Sequence, residues 1–495
     1  MLGERLAQGY CSTCHLHPKP ELLSREMWIE SVLPAMAPGE SIHTPSSSAE
    51  ISSLLGASAS DLVAHVIPAP PLSPEEWAEI EAYYAREAPE QLRPADRRLE
   101  ALPELPGFRV ETPTTRRSPP ATVSIRIDPE LGQVVLGTIE PASLEVYDSE
   151  LRPIQRLELQ ADPTSLEWTR SMDGRPFLAI TSTGELLPND RPDGTLILVP
   201  QQRTLPTYTE SHLVLRGLRR PVSCRLIDFN GDGIPDPLVS QFGDRVGKVG
   251  LYLSSPSGEV EERVLIPRAG ATHCEVYDYD SDGDLDIFAL MSQAREGIYL
   301  LENNGEAEFA ERPLISLPAV YGASSFRMED IDGDGRRDIL LTCGDNADLS
   351  TEFKPYHGVY IWTNQGEGEF SREFFFPANG AYHTETGDFD LDGDLDIAAI
   401  SFFANFRDSP EESVILLRRG GQPDDLQFQA LGLDRPRLGR WICMDAGDLD
   451  GDGDLDIVLG NFLLPLDGPA GTPSAIKDAW SEPRPPFVLL RNLAR

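Results

Sequence analysis

The chain has 495 residues, long enough for two or more domains or a repeat array. Its 42 Lys and Arg against 81 Asp and Glu leave a formal charge of −39, which repels nucleic-acid phosphates and anionic lipid and argues against a nucleic-acid partner. With 40% hydrophobic residues, 19 Phe and 13 Tyr it has the composition of a folded protein, and no apolar run approaches the roughly 18 residues of a transmembrane span.

Residues 1–90 read as a helical unit. Leu2, Leu6 and Tyr10 recur four apart and share one helix face. Cys11-Ser-Thr-Cys14-His15 follows at once and is the attachment pattern of one covalent haem c. Two thiols spaced by two residues form thioethers, and His15 sits below the iron as proximal ligand. The next cysteine is Cys224, so half of a zinc ribbon is the weaker reading. Ser24 caps a helix carrying Trp28 and Val32, which Pro34 is expected to stop. Ser73-Pro74-Glu75-Glu76 joins a cap, a proline at the first helical position and a glutamate three residues on, a helix start. Trp77, Ile80 and Tyr84 then share a face, Pro89 closes the element, and this helix can pack on Leu2–Tyr10 over a haem. For the sixth iron position Met36 stands first, in the proline-bracketed run Leu33-Pro-Ala-Met-Ala-Pro38. Methionine ligation raises the potential and suits electron transfer. His65 and His43 are the alternatives; Met27 reads as core, and His17 is too near His15 to reach the opposite face.

Residues 91–104 mix Pro, Arg and Glu and read as a linker. From 105 to 495 the texture is short β-rich runs such as Thr122–Ile127 and Phe177–Thr181, and within it lies an internal repeat. Nine-residue acidic segments begin at Asp228, Asp278, Asp330, Asp388 and Asp448, 50 to 60 residues apart, one four-stranded blade each. Worn copies fall near Asp128 and Asp173-Gly174, making seven blades in a closed ring that leaves no sheet edge exposed. Phe108–Thr112 is expected to supply the outer strand of the last blade, whose own end, Phe487–Leu493, is one strand short. The fold class expected is a small all-α cytochrome c-type domain followed by an all-β seven-bladed propeller.

Each acidic segment places oxygens at positions 1, 3, 5 and 9, a glycine at position 6, and a backbone carbonyl at position 7. The candidate ligands are Asp228, Asn230, Asp232, Ile234 and Asp236; then Asp278, Asp280, Asp282, Asp284 and Asp286. Next come Asp330, Asp332, Asp334, Arg336 and Asp338, and Asp388, Asp390, Asp392, Asp394 and Asp396. The last set is Asp448, Asp450, Asp452, Asp454 and Asp456. Converging carboxylates repel unless a cation joins them, and an oxygen-only set suits Ca²⁺, up to five ions. An EF-hand needs Glu at position 12, where the chain has Val239, Ala289, Leu341, Ala399 and Leu459. The ions are expected to pin hairpins and stabilise the folded state.

The repeat region resembles the FG-GAP/VCBS repeat family, whose blades are similar to the integrin α-subunit propeller. The resemblance implies an extracytoplasmic, calcium-stabilised propeller used in binding and adhesion, and does not by itself imply catalysis. Cys11–Met36 with Trp77–Pro89 resembles the small monohaem cytochrome c modules that precede FG-GAP propellers in bacterial proteins, which adds support for Met36.

Five residues before each first aspartate stand Ser223, His273, Ser325, His383 and Cys443, and three before it Arg225, Glu275, Arg327, Glu385 and Asp445. The alternate positions, Cys224, Cys274, Phe326, Thr384 and Met444, are mostly apolar, so the polar set lines the central channel. Two readings stay open: a ligand or catalytic funnel built from His273, His383, Arg225 and Arg327, or a solvated channel whose Arg and Glu pair across blades. Cys224 and Cys274 are expected to be free thiols.

The function expected is an extracytoplasmic electron carrier whose propeller docks a redox partner protein, a glycan or a surface protein. An oxidoreductase passing electrons from the channel to the haem, and an adhesion protein with an accessory haem, are the alternatives. The chain lacks a dinucleotide glycine fingerprint and the repeated tryptophan docking of quinoprotein propellers, which weighs against the enzyme. Covalent haem and weak calcium sites both point to the periplasm or the extracellular space. Met1–Tyr10 has no apolar core, so an export signal is expected to have been removed or the start mis-assigned.

Overall fold

The computed structural model describes residues 2–37, 72–171, 174–186, 189–202, 212–346, 352–420, 426–465, 468–469 and 471–494. Seven sheets stand around one axis, and except for the outermost strands of blades 6 and 7 each runs from its innermost strand outward. Blades 1 to 7 begin at the inner strands Thr122–Asp128, Pro163–Arg170, Pro221–Ile227, Ala271–Tyr277, Ala323–Glu329, Ala381–Gly387 and Trp441–Gly447. The seven-bladed propeller is thus present, and its last inner strand packs against its first.

The second strand of a blade is covered on both faces by neighbouring blades, and its sequence shows why. Asp286-Ile-Phe-Ala-Leu-Met291, Asp338-Ile-Leu-Leu-Thr-Cys343 and Asp456-Ile-Val-Leu-Gly-Asn461 are buried at every residue. A near-continuous apolar run is what a strand buried on both faces requires. The cores lie between blades: Phe288 and Leu290 of blade 4 meet Phe326, Met328 and Ile339 of blade 5. All seven inner strands carry a register shift at the same place, between Ala271 and His273 in blade 4 for instance. A bulge there bends the strand at one mouth of the channel.

The ring closes with a strand from the far end of the sequence. Phe108–Glu111 pairs antiparallel with Phe487–Asn492, Phe108 opposite Asn492 and Glu111 opposite Leu489, as the short last blade requires. Residues 91–104 are more than a linker. Glu100–Leu102 adds a fifth, parallel strand to blade 6, Arg97 reaches the buried Glu412, and Arg435 of the next connection holds Glu104 at 2.9 Å. The outer edge of blade 6 offers unpaired backbone groups, and the passing chain satisfies them.

In the N-terminal unit Leu2–Cys11 packs on the helix Pro74–Glu87, and a Cβ on Gly3 would run into the Glu79 carbonyl and the Tyr83 side chain. Ser73 and Glu76 form the full capping box, and the Ser24 hydroxyl accepts from Met27 N at 3.3 Å. Pro34 does not stop its helix. The backbone widens into a π turn over Trp28–Val32 and resumes as Leu33–Met36, so Pro34 falls in a new first turn, where no N–H is required of it. Trp28 and Tyr84 meet at 4.4 Å between ring centres, in a core with Ala7, Cys11, Leu23, Leu33 and Ile80. His43 and His65 lie outside the described residues. Among the described residues no helix is long and apolar enough to cross a membrane.

Phe108 is 4% exposed and meets Phe389 edge-on at 5.9 Å, so the closing strand carries core. Phe108→Ala should cost about 3 kcal/mol, as large core truncations do, read as a lower urea midpoint. Its exposed neighbour changed as Arg109→Ala should leave the midpoint in place; equal losses would mean that the strand closes the ring without anchoring it.

Candidate functional site

Three constellations carry chemistry. The first is at the end of the first helix. Cys11 is 3% exposed, and Cys14 N and His15 N approach its carbonyl at 3.4 and 3.3 Å, which folds both thiols and the imidazole onto one turn. Both cysteines are free. Burial pushes the Cys11 thiol up to about 11 and His15 below its ordinary value, so the site favours a protonated thiol and a neutral imidazole. His15 Nδ1 lies 3.1 Å from the Leu16 carbonyl, which leaves Nε2 for a ligand. Met36 is half-buried against the same core as Cys11. This donor set, two thiols, an imidazole and a thioether, fits a covalent haem.

The second constellation is the five acidic turns, which share one hydrogen bond in every copy. Position 1 accepts from the glycine N at position 6 in every copy: Gly233 to Asp228 at 2.8 Å, Gly283 to Asp278 at 3.1, Gly335 to Asp330 at 2.9, Gly393 to Asp388 at 2.9 and Gly453 to Asp448 at 3.1. Those glycines have φ between 84° and 99°, where a side chain is strained. Position 9 is buried and accepts from the third strand of its blade, as Asp236 does from Ser254 and Asp456 from Asn492, so it staples the turn to the sheet. Carboxylate oxygens converge within 4.8 Å at Asp278, Asp280 and Asp282, at Asp388, Asp390 and Asp392, and at Asp448, Asp450 and Asp452. In the third turn the set is Asp330, Asp332 and Asp338. In the first, Asn230 stands among Asp228, Asp232 and Asp236.

These turns fit a hard divalent cation. Burial, with neighbouring carboxylates behind it, pushes Asp338 up to about 6 and Asp396 and Asp456 to about 7. One oxygen each of Asp278, Asp390 and Asp396, and both of Asp454, are buried without a hydrogen-bond partner. Arginines that the sequence did not single out lie beside two turns: Arg418 is 3.2 Å from Asp390, and Arg491 pairs with Asp450.

The third is the channel. Two residues outside the clear repeats, Arg126 and Glu167, complete a ring with Arg225, Glu275, Arg327, Glu385 and Asp445. Arg126 holds Asp445 at 2.9 Å and Glu167 at 3.5 Å; Arg225 pairs with Glu167 and lies 3.3 Å from Glu275; Arg327 pairs with Glu385. Each arginine also donates Nε to the next blade, to Leu166 O at 2.9 Å, Cys274 O at 3.3 Å and Thr384 O at 3.0 Å. His273 and His383 sit on Glu275 and Glu385 at 2.9 and 3.1 Å. The charges are therefore paired across blades, which is the second of the two channel readings. Cys224 and Cys274 are buried free thiols. The sequence signal for Arg126 and Glu167 was there: one blade back from Arg225 stands Glu167, and one further back Arg126.

A family model described as an FG-GAP-like repeat matches residues 228–289 and 278–341, which carry the first three acidic turns. The chain is therefore a propeller with FG-GAP-like repeats. Among solved structures, the β-propeller domain of Cps50 (Swd1) from Myceliophteria thermophila is 12% identical with a TM-score of 0.45, over 77% of this chain and 99% of that one. BBS1N in complex with ARL6DN, soaked with mercury, is 8% identical with a TM-score of 0.44, over 79% of this chain and 97% of that one. No curated protein matches.

The ring has one place where alternation fails, Glu385 beside Asp445. Burial and the Glu385 charge raise Asp445, while Arg327 and His383 outweigh burial and lower Glu385. A raised acid weakens folding as pH climbs from the ordinary aspartate range to its raised value. A lowered one supports folding above the ordinary glutamate range and loses that support as pH falls below it. At pH 7, Glu385→Gln should cost about 3 kcal/mol by stranding Arg327. Asp445→Asn should cost far less, because Arg126 keeps Glu167 at 3.5 Å as a partner. Equal losses in urea unfolding would overturn this account of the ring.

Proposed function

We propose that this chain is an extracytoplasmic electron-transfer protein, with a cytochrome c-type unit over residues 1–90 and a calcium-stabilised propeller that binds a partner. The observation that carries the reading is the placement of Cys11, Cys14 and His15 on one turn, with Met36 on the same buried core. A haem held there supplies one-electron chemistry. Cys11 and Cys14 would attach it, His15 and Met36 would ligate it, and Trp28, Trp77 and Tyr84 would shield it. The propeller supplies the docking surface for a redox partner protein, a glycan or a surface protein. FG-GAP-like repeats support that role, and the paired channel charges favour binding over turnover.

In protein matured through a cytochrome c pathway, the reduced-minus-oxidised spectrum should show a c-type band that survives denaturation. Met36→Ala should remove the sulfur–iron charge-transfer feature and keep the covalent band. Absence of any haem would leave a binding propeller alone.

Calcium is the second cofactor of the reading, in the five turns. Ions that bind only the folded chain stabilise it by about 2.7 kcal/mol per site at one hundred times the dissociation constant. Millimolar Ca²⁺ should therefore raise the calorimetric unfolding temperature, EDTA should lower it, and Mg²⁺ should not replace Ca²⁺. An unfolding temperature indifferent to EDTA would make the turns metal-free.

A further inference from the structure

We propose that blade 5 of the propeller is part of the haem site, with Glu352 and Tyr356 as positioning residues for the segment that follows His15. The proposal rests on the haem reading above.

Residues Leu16–Ser24 connect the attachment turn to the next helix, and the Leu16 carbonyl faces His15 Nδ1 at 3.1 Å. What holds this segment therefore holds the partner of the proximal imidazole. From within the N-terminal unit, Tyr84 Oη donates to Pro18 O at 2.6 Å and Trp28 Nε1 to Pro20 O at 2.9 Å. From the propeller, Tyr356 Oη donates to Leu22 O at 2.8 Å, and Ser24 N donates to Glu352 Oε2 at 3.1 Å. Val320, on the connection into blade 5, packs against the same core as Cys11 and Met36.

The propeller side of this contact is braced by its own contacts. Tyr356 stacks on Tyr321 at 4.6 Å and 19°, and Tyr360 Oη donates to the Tyr356 carbonyl. Buried Lys354 donates to Asn346, and Asn346 Nδ2 donates to Glu352 O at 3.1 Å, which fixes the backbone bearing the carboxylate. The loop that presents both residues spans 344–357, whereas the equivalent loops of blades 3 and 4 span only 242–247 and 292–296.

The chemical consequence follows from the imidazole. A hydrogen bond from Nδ1–H to a carbonyl makes the ring a stronger donor through Nε2 and favours oxidised over reduced iron. Loosening the segment weakens that bond, so loss of the propeller's two anchors raises the midpoint potential.

The test uses the full haem-loaded chain with Tyr356→Phe and Glu352→Gln, singly and together. Tyr356→Phe keeps the ring stacked on Tyr321, so the loop survives. The expected result is an upward shift in midpoint potential by spectroelectrochemistry, larger in the double variant. Covalent haem should be retained, and the Ser24 amide should exchange hydrogen faster. Retained haem with unmoved potential and unmoved exchange would overturn this proposal and leave the haem reading standing. A wild-type chain without covalent haem would overturn both.

Discussion

Seven is an odd number, and the inner strands have to accommodate it. Side chains facing a common axis at one height interact with neighbours on both sides, and opposite charges can alternate without a break only around an even ring. Three arginines take the positions where alternation works, and each reaches forward to the backbone of the next blade. The seventh position cannot be another arginine without facing Arg126, so it is Asp445, which is left beside Glu385. Asp445 accepts from Ile127 N at 2.7 Å and so ties blade 7 back to blade 1. The defect in the charge pattern thus falls at the join of the ring, and the acid placed there helps to make that join.

The acidic turns extend the same logic to the other end of the inner strands. Each position 9 aspartate bonds to the third strand of its own blade, while positions 1, 3 and 5 converge in the second, fourth and fifth turns and Asp338 joins Asp330 and Asp332 in the third. One carboxylate per turn thus ties the concentration of negative charge to the sheet. In blade 7 that charge touches the ring closure directly, since Arg491 contacts Asp450 and also Glu111 of the closing strand, the latter at 3.1 Å. A cation in that turn would act on the strand that shuts the ring as well as on its own hairpin.

Repetition and local chemistry were legible in the sequence; their placement against one another was not. Five aspartate-rich segments at near-constant spacing gave the blades, and a last blade ending one strand early pointed to Phe108–Thr112. The capping box at Ser73 is a purely local signal and was correspondingly plain. Pro34 misled because a proline's local veto on helix can be lifted by a widened turn just before it. Glu100–Leu102 looked like linker because its parallel partner, Phe428–Leu433, lies more than 300 residues away and its composition carries no periodicity. Glu352 and Tyr356 were invisible for the same reason: a glutamate and a tyrosine in a loop acquire meaning only once another unit is set on them.

The closing strand also orders events in time. Glu111 meets Arg491 across 380 residues of chain, so the early strand is made long before its partner exists. Throughout synthesis the nascent protein carries an unpaired strand at one end and a growing fan of blades at the other. Neither edge is covered until Phe487–Asn492 has been made. Fidelity of this architecture therefore rests on Phe487–Asn492: a chain cut before it would keep all five acidic turns and leave Phe108–Glu111 and Asp456–Asn461 with unpaired edges available to neighbouring molecules.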